Sequence, residues 1–356
     1  MSDYKNEISE INDIRLPKDF KGITFSGFKK TESINELIKS LINSKLESAC
    51  YWCAELVCSG HFLDIWDAII VFFSKNIHIG NPKLIYYLDK KCDLFKSILN
   101  NGYRGEELRM RNNEKIRIIF AEICIVLHFS KKKHSVSEIK IGPDTNVIYK
   151  YKSTTFDFIN DYLHEDDLKD IIIPLNEFVY QLVEEKNSVD ACYWLEFLID
   201  LEKKFKKEKI VILGTRTIEG IEFKFQKDIC IAIWDIMLKI SKTKTDLIGK
   251  IVKSSFKLFS LKYGNSSYKK RKFLIYFIIE MLCHSFNASV PMINEKGKIE
   301  SLIKNLDVIY SQIKKSEHSP GTDYLFNSSN NNNLEKTISK LDTMTDFESS
   351  FIPRCK

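Results

Sequence analysis

The sequence predicts an all-α or mostly α fold made of two related helical units in tandem, and three observations carry that expectation. Apolar residues recur at helical spacing through most of the chain. The tetrapeptide Ala49-Cys50-Tyr51-Trp52 returns as Ala191-Cys192-Tyr193-Trp194. A second marker follows each copy in the same order, Ile65-Trp66-Asp67 and then Ile233-Trp234-Asp235, so all 4 tryptophans (Trp52, Trp66, Trp194 and Trp234) fall on the two markers. A weaker third marker sets Lys115, Phe120 and Cys124 against Lys272, Phe277 and Cys283. Ordered recurrence of this kind is the mark of a duplicated supersecondary unit, here about three helices long, with the tryptophans as its core.

Each element follows from local pattern. Residues 1–30 read as a polar arm; "MSDYKNEISEINDIRLPKDF" carries charges throughout and has no apolar stretch of the kind a secretory signal needs. "SINELIKSLINSKLE" is the leading helix of the first unit, residues 31–134. In "SACYWCAELVC", Ala49, Trp52, Cys53, Leu56 and Val57 follow the i, i+3, i+4, i+7, i+8 pattern of an amphipathic helix, and Gly60 supplies a stop. Helices are expected near 62–75 and 112–129. Residues 135–173 form a connector with turn and strand-like residues, among them Gly142-Pro143 and Val147-Ile148-Tyr149.

Pro174 is placed just ahead of the leading helix of the second unit, residues 174–315, whose further helices fall near 189–207, 227–241 and 268–286. Between the first two of these, "IVILGTRTIEGIEFKFQ" alternates enough to predict a short β-hairpin insertion. Residues 316–356 begin as an Asn-rich linker, "SPGTDYLFNSSNNNN". The tail then regains apolar spacing at Leu341, Met344 and Phe347. Two readings of that tail stand side by side: a tethered docking motif for a partner, or a short helix that packs back on the body.

The chain is 356 residues long, with 44% hydrophobic and 12% aromatic residues, which excludes disorder for most of it. Its most apolar run, Phe273 to Phe286, is too short for a bilayer and contains Glu280, so it reads as a core helix and no membrane span is expected. The 9 cysteines are scattered through apolar surroundings, the pattern of reduced thiols in an intracellular compartment rather than of a disulfide framework.

Cys50, Cys53, Cys58 and His61 have the C-x2-C-x4-C-x2-H spacing of a candidate zinc module. On a continuous helix, positions 50 and 61 lie about 16 Å apart at roughly 1.5 Å per residue, whereas zinc bonds are close to 2 Å. At the same offset in the second copy, Cys53, Cys58 and His61 become Leu195, Asp200 and Lys203, while the Ala, Tyr and Trp are kept. No metal and no cofactor is expected. His164-Glu165-Asp166-Asp167 reads as an acidic turn or helix start, and the adjacent Cys283 and His284 do not face one another on a helix. The chain contains no phosphate-binding glycine loop, dinucleotide fingerprint, zincin motif or nucleophile elbow. A non-enzymatic role is the resulting expectation.

Charge is distributed unevenly. The net charge is +6, yet Leu201 to Lys272 alone holds 19 Lys plus Arg against 7 Asp plus Glu. Two clusters dominate: Lys203, Lys204, Lys206, Lys207 and Lys209, and then Lys269, Lys270, Arg271 and Lys272. Such clusters suit a phosphate backbone, where bound counterions are released, and equally an acidic protein partner. Lys131, Lys132, Lys133 and His134 complement the dipole of the helix they end.

"SGHFLDIWDAIIVFFSKNIHIGNPKL", "LRMRNNEKIRIIFAEI" and the second "ACYW" copy together resemble uncharacterised proteins of large nucleocytoplasmic DNA viruses, over residues from about 20 to 310. That resemblance implies a viral source. "ACYWCAEL" followed by Ser74, Ile77, Asn81 and Pro82 looks like the C-terminal helical region of clamp-loader-type ATPases, over about 40 residues, with Lys75, Asn76 and His78 departing from the family pattern. Without a phosphate loop, the likeness implies an assembly module with no motor. The expectation is therefore a non-enzymatic binding or scaffold protein of a virus-encoded intracellular, replication-associated assembly, with protein partners and with nucleic acid contacted through the basic second unit. A virion structural component, and an enzyme with a dispersed active site, are the alternatives.

Overall fold

The chain folds into a succession of helices, which the computed structural model describes over residues 9–142, 147–293 and 296–318. Among the described residues there are twelve α-helices and no strand beyond one isolated bridge between Ile23 and Lys29. The first unit holds α1 (Lys30–Ile42), α2 (Leu46–Cys58), α3 (Phe62–Phe72), α4 (Leu84–Asn100) and α5 (Glu114–Phe129). The second repeats the order with α6 (Ile172–Val183), α7 (Ser188–Lys207), α8 (Ile229–Ser241), α9 (Asp246–Phe259) and α10 (Ser267–Cys283). Two short helices, α11 (Lys296–Ile303) and α12 (Leu306–Lys314), follow.

The unit is thus five helices long, not three: each copy has a leading helix before the Ala-Cys-Tyr-Trp helix and another between the second and third markers. Equivalent pairs pack in both copies: α1 on α2 and α6 on α7, α2 on α5 and α7 on α10, α4 on α5 and α9 on α10. Local chemistry accounts for several boundaries. Asn113 accepts from Ile116 N to start α5, and Asn187 accepts from Val189 N and Asp190 N to start α7. Gly60, at φ +76°, ends α2: His61 N donates to the Leu56 carbonyl and Gly60 N to that of Val57, the paired bonds of a left-handed C-terminal cap.

Several expectations are corrected. Residues 210–226 make no hairpin; Arg216 N donates to the Gln226 carbonyl, but the segment is otherwise irregular and closes with a short 3-10 turn at Phe223–Phe225. Its alternation reflects separate anchors, since Ile212, Leu213, Ile221 and Phe225 are buried while Val211 and Phe223 are exposed. The strand-like residues after the first Gly-Pro form a 3-10 turn, Val147–Lys150. Pro174 lies inside the first turn of α6, where a missing N–H costs nothing. From residue 9 onward the arm is part of the core: Ile11, Phe20 and Phe25 are fully covered. Finally, α11 and α12 pack against α5 and α2 of the first unit, although they follow the second in sequence.

The two units share one core and meet where α4 packs on α9 and α3 on α10. Trp66, Trp194 and Trp234 are fully buried. Trp52 is only half-buried, against Phe28 and Tyr51, because among the described residues no element covers its outer face as Tyr151 of the connector stacks on Trp194 (centroids 5.3 Å apart). No described helix is long and apolar enough to cross a membrane.

Candidate binding site

The joint between the units is bridged by charge that the second marker supplies. Arg271, at the start of α10, donates through Nε (2.8 Å) and Nη2 (2.6 Å) to Asp67 of α3, and through Nη1 to the carbonyls of Phe259 (2.7 Å) and Leu261 (2.6 Å). The guanidinium thereby ties α9, α10 and α3 together. Lys270 adds a second bond to Asp67 (3.1 Å). Lys272 is buried and donates to Glu138 of the connector and Glu196 of α7. Of the second basic cluster, then, Arg271 and Lys272 are internal fasteners, and Lys269 alone is exposed without an ion pair among the described residues.

The first cluster divides in the same way. Lys206 is held by Glu202 (3.2 Å) and Asp228 (2.9 Å), and Lys204 by Asp200 one turn back (3.1 Å). Lys203, Lys207 and Lys209 stand exposed with no acidic partner among the described residues. Asp228 also accepts from Tyr263 Oη (3.3 Å), which places the end of α7 beside the turn that follows α9. That turn leads within four residues to Ser267, the start of α10. The free lysines of both clusters therefore gather at one end of the second unit.

The turn after α9, Ser260 to Lys262, also lines a cleft of about 1340 Å³ that runs between the units. Its floor is apolar: Phe62, Trp66 and Leu63 of α3, Phe95 and Leu99 of α4, Leu108, Leu238 of α8 and Phe256 of α9. Its rim carries seven lysines, Lys18, Lys21, Lys30, Lys96, Lys253, Lys257 and Lys262, against Asp64, Asp93, Glu107 and Glu219. Lys30 is paired with Asp64 (3.0 Å), and Lys257 reaches Asp89 and Asp93 (both 3.7 Å). Among the described residues Lys18, Lys21, Lys96, Lys253 and Lys262 have no ion pair, so the rim presents positive charge that those residues leave uncompensated over an apolar floor. Sequence reasoning missed this site, because its walls come from eight separate stretches; only the i, i+4 pair Lys253 and Lys257 on one face of α9 hints at it.

Reactive chemistry in the cleft is muted. Burial pushes the Cys92 thiol up to about 11, which keeps it protonated near neutrality. Carboxylates whose pKa is raised by burial are all engaged elsewhere: Glu202 accepts from Ile229 N, Asp89 from Ser254, and Glu280 lies beside His78 and Lys133. The candidate zinc ligands do not converge. Cys50, Cys53 and Cys58 ride one unbroken helix, with Cys50 turned to Cys124. His61, just after it, donates from Nε2 to the Ile23 carbonyl (2.7 Å). Among the described residues no group of three or more His, Cys, Asp or Glu is placed to hold a metal ion. The acidic turn at 164–167 is structural, since Asp167 pairs with the buried Arg216 (2.5 Å) and accepts from Gly214 N (2.9 Å).

Comparison with known protein families, with curated proteins and with solved structures finds no match for this chain.

Proposed function

We propose that the chain is a non-enzymatic helical binding and scaffold protein, and that the basic end of its second unit holds nucleic acid by the phosphate backbone. The observation that carries the reading is the set of exposed lysines without acidic partners at that end, Lys203, Lys207, Lys209 and Lys269, beside the lysine rim of the cleft. Point charges on long stems suit backbone contact rather than base recognition. The resemblance of residues 20–310 to proteins of large DNA viruses supports a place in a virus-encoded, replication-associated intracellular assembly.

The test is a fluorescence-anisotropy titration of single- and double-stranded DNA and RNA at several salt concentrations, with the full chain and with Lys203, Lys207, Lys209 and Lys269 all changed to Glu. Affinity should fall steeply with salt, and the variant should flatten the slope by roughly 3 to 4, since each neutralised phosphate contributes about 0.7–0.9. If the full chain shows no binding at low salt, the nucleic-acid reading is lost and an acidic protein partner takes its place.

A further inference from the structure

The cleft between the units has a shape and charge that the basic end does not explain. It exceeds the roughly 300–1,000 Å³ of small-molecule pockets, and Leu63, Leu99, Leu108 and Leu238 leave a partly open aliphatic floor under a rim of unpaired lysines. A chain segment that is apolar on one side and acidic on the other satisfies both. We propose that this cleft is the docking site of the chain's own C-terminal segment, residues 341–352.

Composition and location converge on that segment. "LDTMTDFESSFI" carries Asp342, Asp346 and Glu348 with no Lys or Arg, and its Leu341, Met344, Phe347 and Phe351 recur at helical spacing. Residues 319–356 lie outside the described structure, but the point from which they depart is defined. His318 N donates to Asp13 Oδ2 (2.9 Å), Ile14 N donates to the His318 carbonyl (3.1 Å), and Asn12 N donates to Glu317. The arm that holds His318 continues within four residues to Pro17, where it becomes a wall of the cleft. Four extended residues cover at most about 14 Å. The intervening residues 319–340 number 22, and a chain of that length can reach at most about 79 Å, which is ample. Tethering also raises the local concentration of the segment to the order of millimolar, so modest complementarity is enough to seat it. The inference does not depend on nucleic-acid binding.

Zero-length carbodiimide coupling of the full chain, which condenses a carboxylate with a contacting lysine into an amide, followed by peptide mass spectrometry, tests it. Links are expected from Asp342, Asp346 or Glu348 to Lys96, Lys253 or Lys262, within one chain when isotope-labelled and unlabelled protein are mixed. The pair Lys30 and Asp64, in the wall of the same cleft, reports that the reagent has access. A full-length variant with Leu341, Met344 and Phe347 changed to Ser should lose the tail links, keep the Lys30–Asp64 link, and exchange amide hydrogen faster in α4 and α9. Tail links that join two chains, that go to Lys203, Lys207 or Lys209 instead, or that are missing while Lys30–Asp64 couples, would overturn the proposal.

Discussion

The same three-residue marker does opposite work in the two halves of the molecule. Asp67 of the first Ile-Trp-Asp reaches across the joint to Arg271 and Lys270 of the second unit, whereas Asp235 of the second pairs with Lys239 one turn away on its own helix. The third marker splits likewise: Lys272 is buried between Glu138 and Glu196, and its counterpart Lys115 is exposed. The tryptophan beside each aspartate is fully buried in both copies. Duplication thus kept the apolar residues that fill each unit, and the polar ones diverged according to which surface became the joint. A packed core punishes change at either copy, while a surface charge is free to acquire a new partner.

The largest effects should come from the shared part. Trp66→Ala and Trp234→Ala are each expected to cost about 3–5 kcal/mol in chemical denaturation, as aromatic truncations in a filled core do. Trp194→Ala belongs with them, because Tyr151 seals it, and Trp52→Ala should cost roughly half as much, about 2 kcal/mol, since part of its ring already faces water. Equal costs at Trp52 and Trp194 would erase the asymmetry between the copies.

Next comes the long insertion of the second unit, which the first lacks. It is closed by Asp167 and Arg216, both buried. Burial alone would raise the Asp167 carboxyl, but the bond from Arg216 and those from His164 N and Gly214 N outweigh it and hold it below 3.8. The sign follows: the folded state stabilises the carboxylate, so the contribution is present above pH 3.8 and fades as pH falls through the lower folded value. Asp167→Asn should therefore be less stable at pH 7, by about 3 kcal/mol as for a broken buried pair. The gap to the parent protein should close below pH 3.8. A gap independent of pH would mean that the carboxylate charge is not what holds the insertion.

How much of this was legible beforehand differs by kind of interaction. Helix identity, the duplication and the bounds of most helices were written in spacing and caps, because those signals act within a few residues; Gly60 and Asn187 are examples. The helices between markers were missed as part of the repeat, since α4 and α9 keep no common motif. Tertiary partners were not legible. Nothing near residue 300 says that Ile299, Tyr310 and Ile313 will be buried in a core with the first unit, and nothing in "YKKRK" says that Arg271 and Lys272 turn inward while Lys269 does not. Charge in a sequence shows supply; only the fold shows which part of it is already spent on internal carboxylates. The cleft was invisible for the same reason, being the gap left where two units with their own helical order come together.

The smallest effects sharpen the comparison most, because they ask whether two aspartates in identical sequence context differ only through the joint. Asp67→Ala removes the acceptor of a guanidinium whose other bonds go to the ends of α9, and a loss of about 2 kcal/mol is expected for a charged hydrogen bond of this kind. Asp235→Ala removes a solvent-facing i, i+4 pair worth about 0.3–0.5 kcal/mol. Denaturant midpoints of the two variants, measured at unchanged slope, read the difference directly. Arg271→Leu supplies the second leg of a double-mutant cycle with Asp67→Ala, and strong non-additivity should appear there and be absent between Arg271 and Asp235. Additive behaviour at Asp67 and Arg271 would mean that the units are held by apolar packing of α4 on α9 alone, and that the divergent aspartate is an ornament of the joint rather than its fastener.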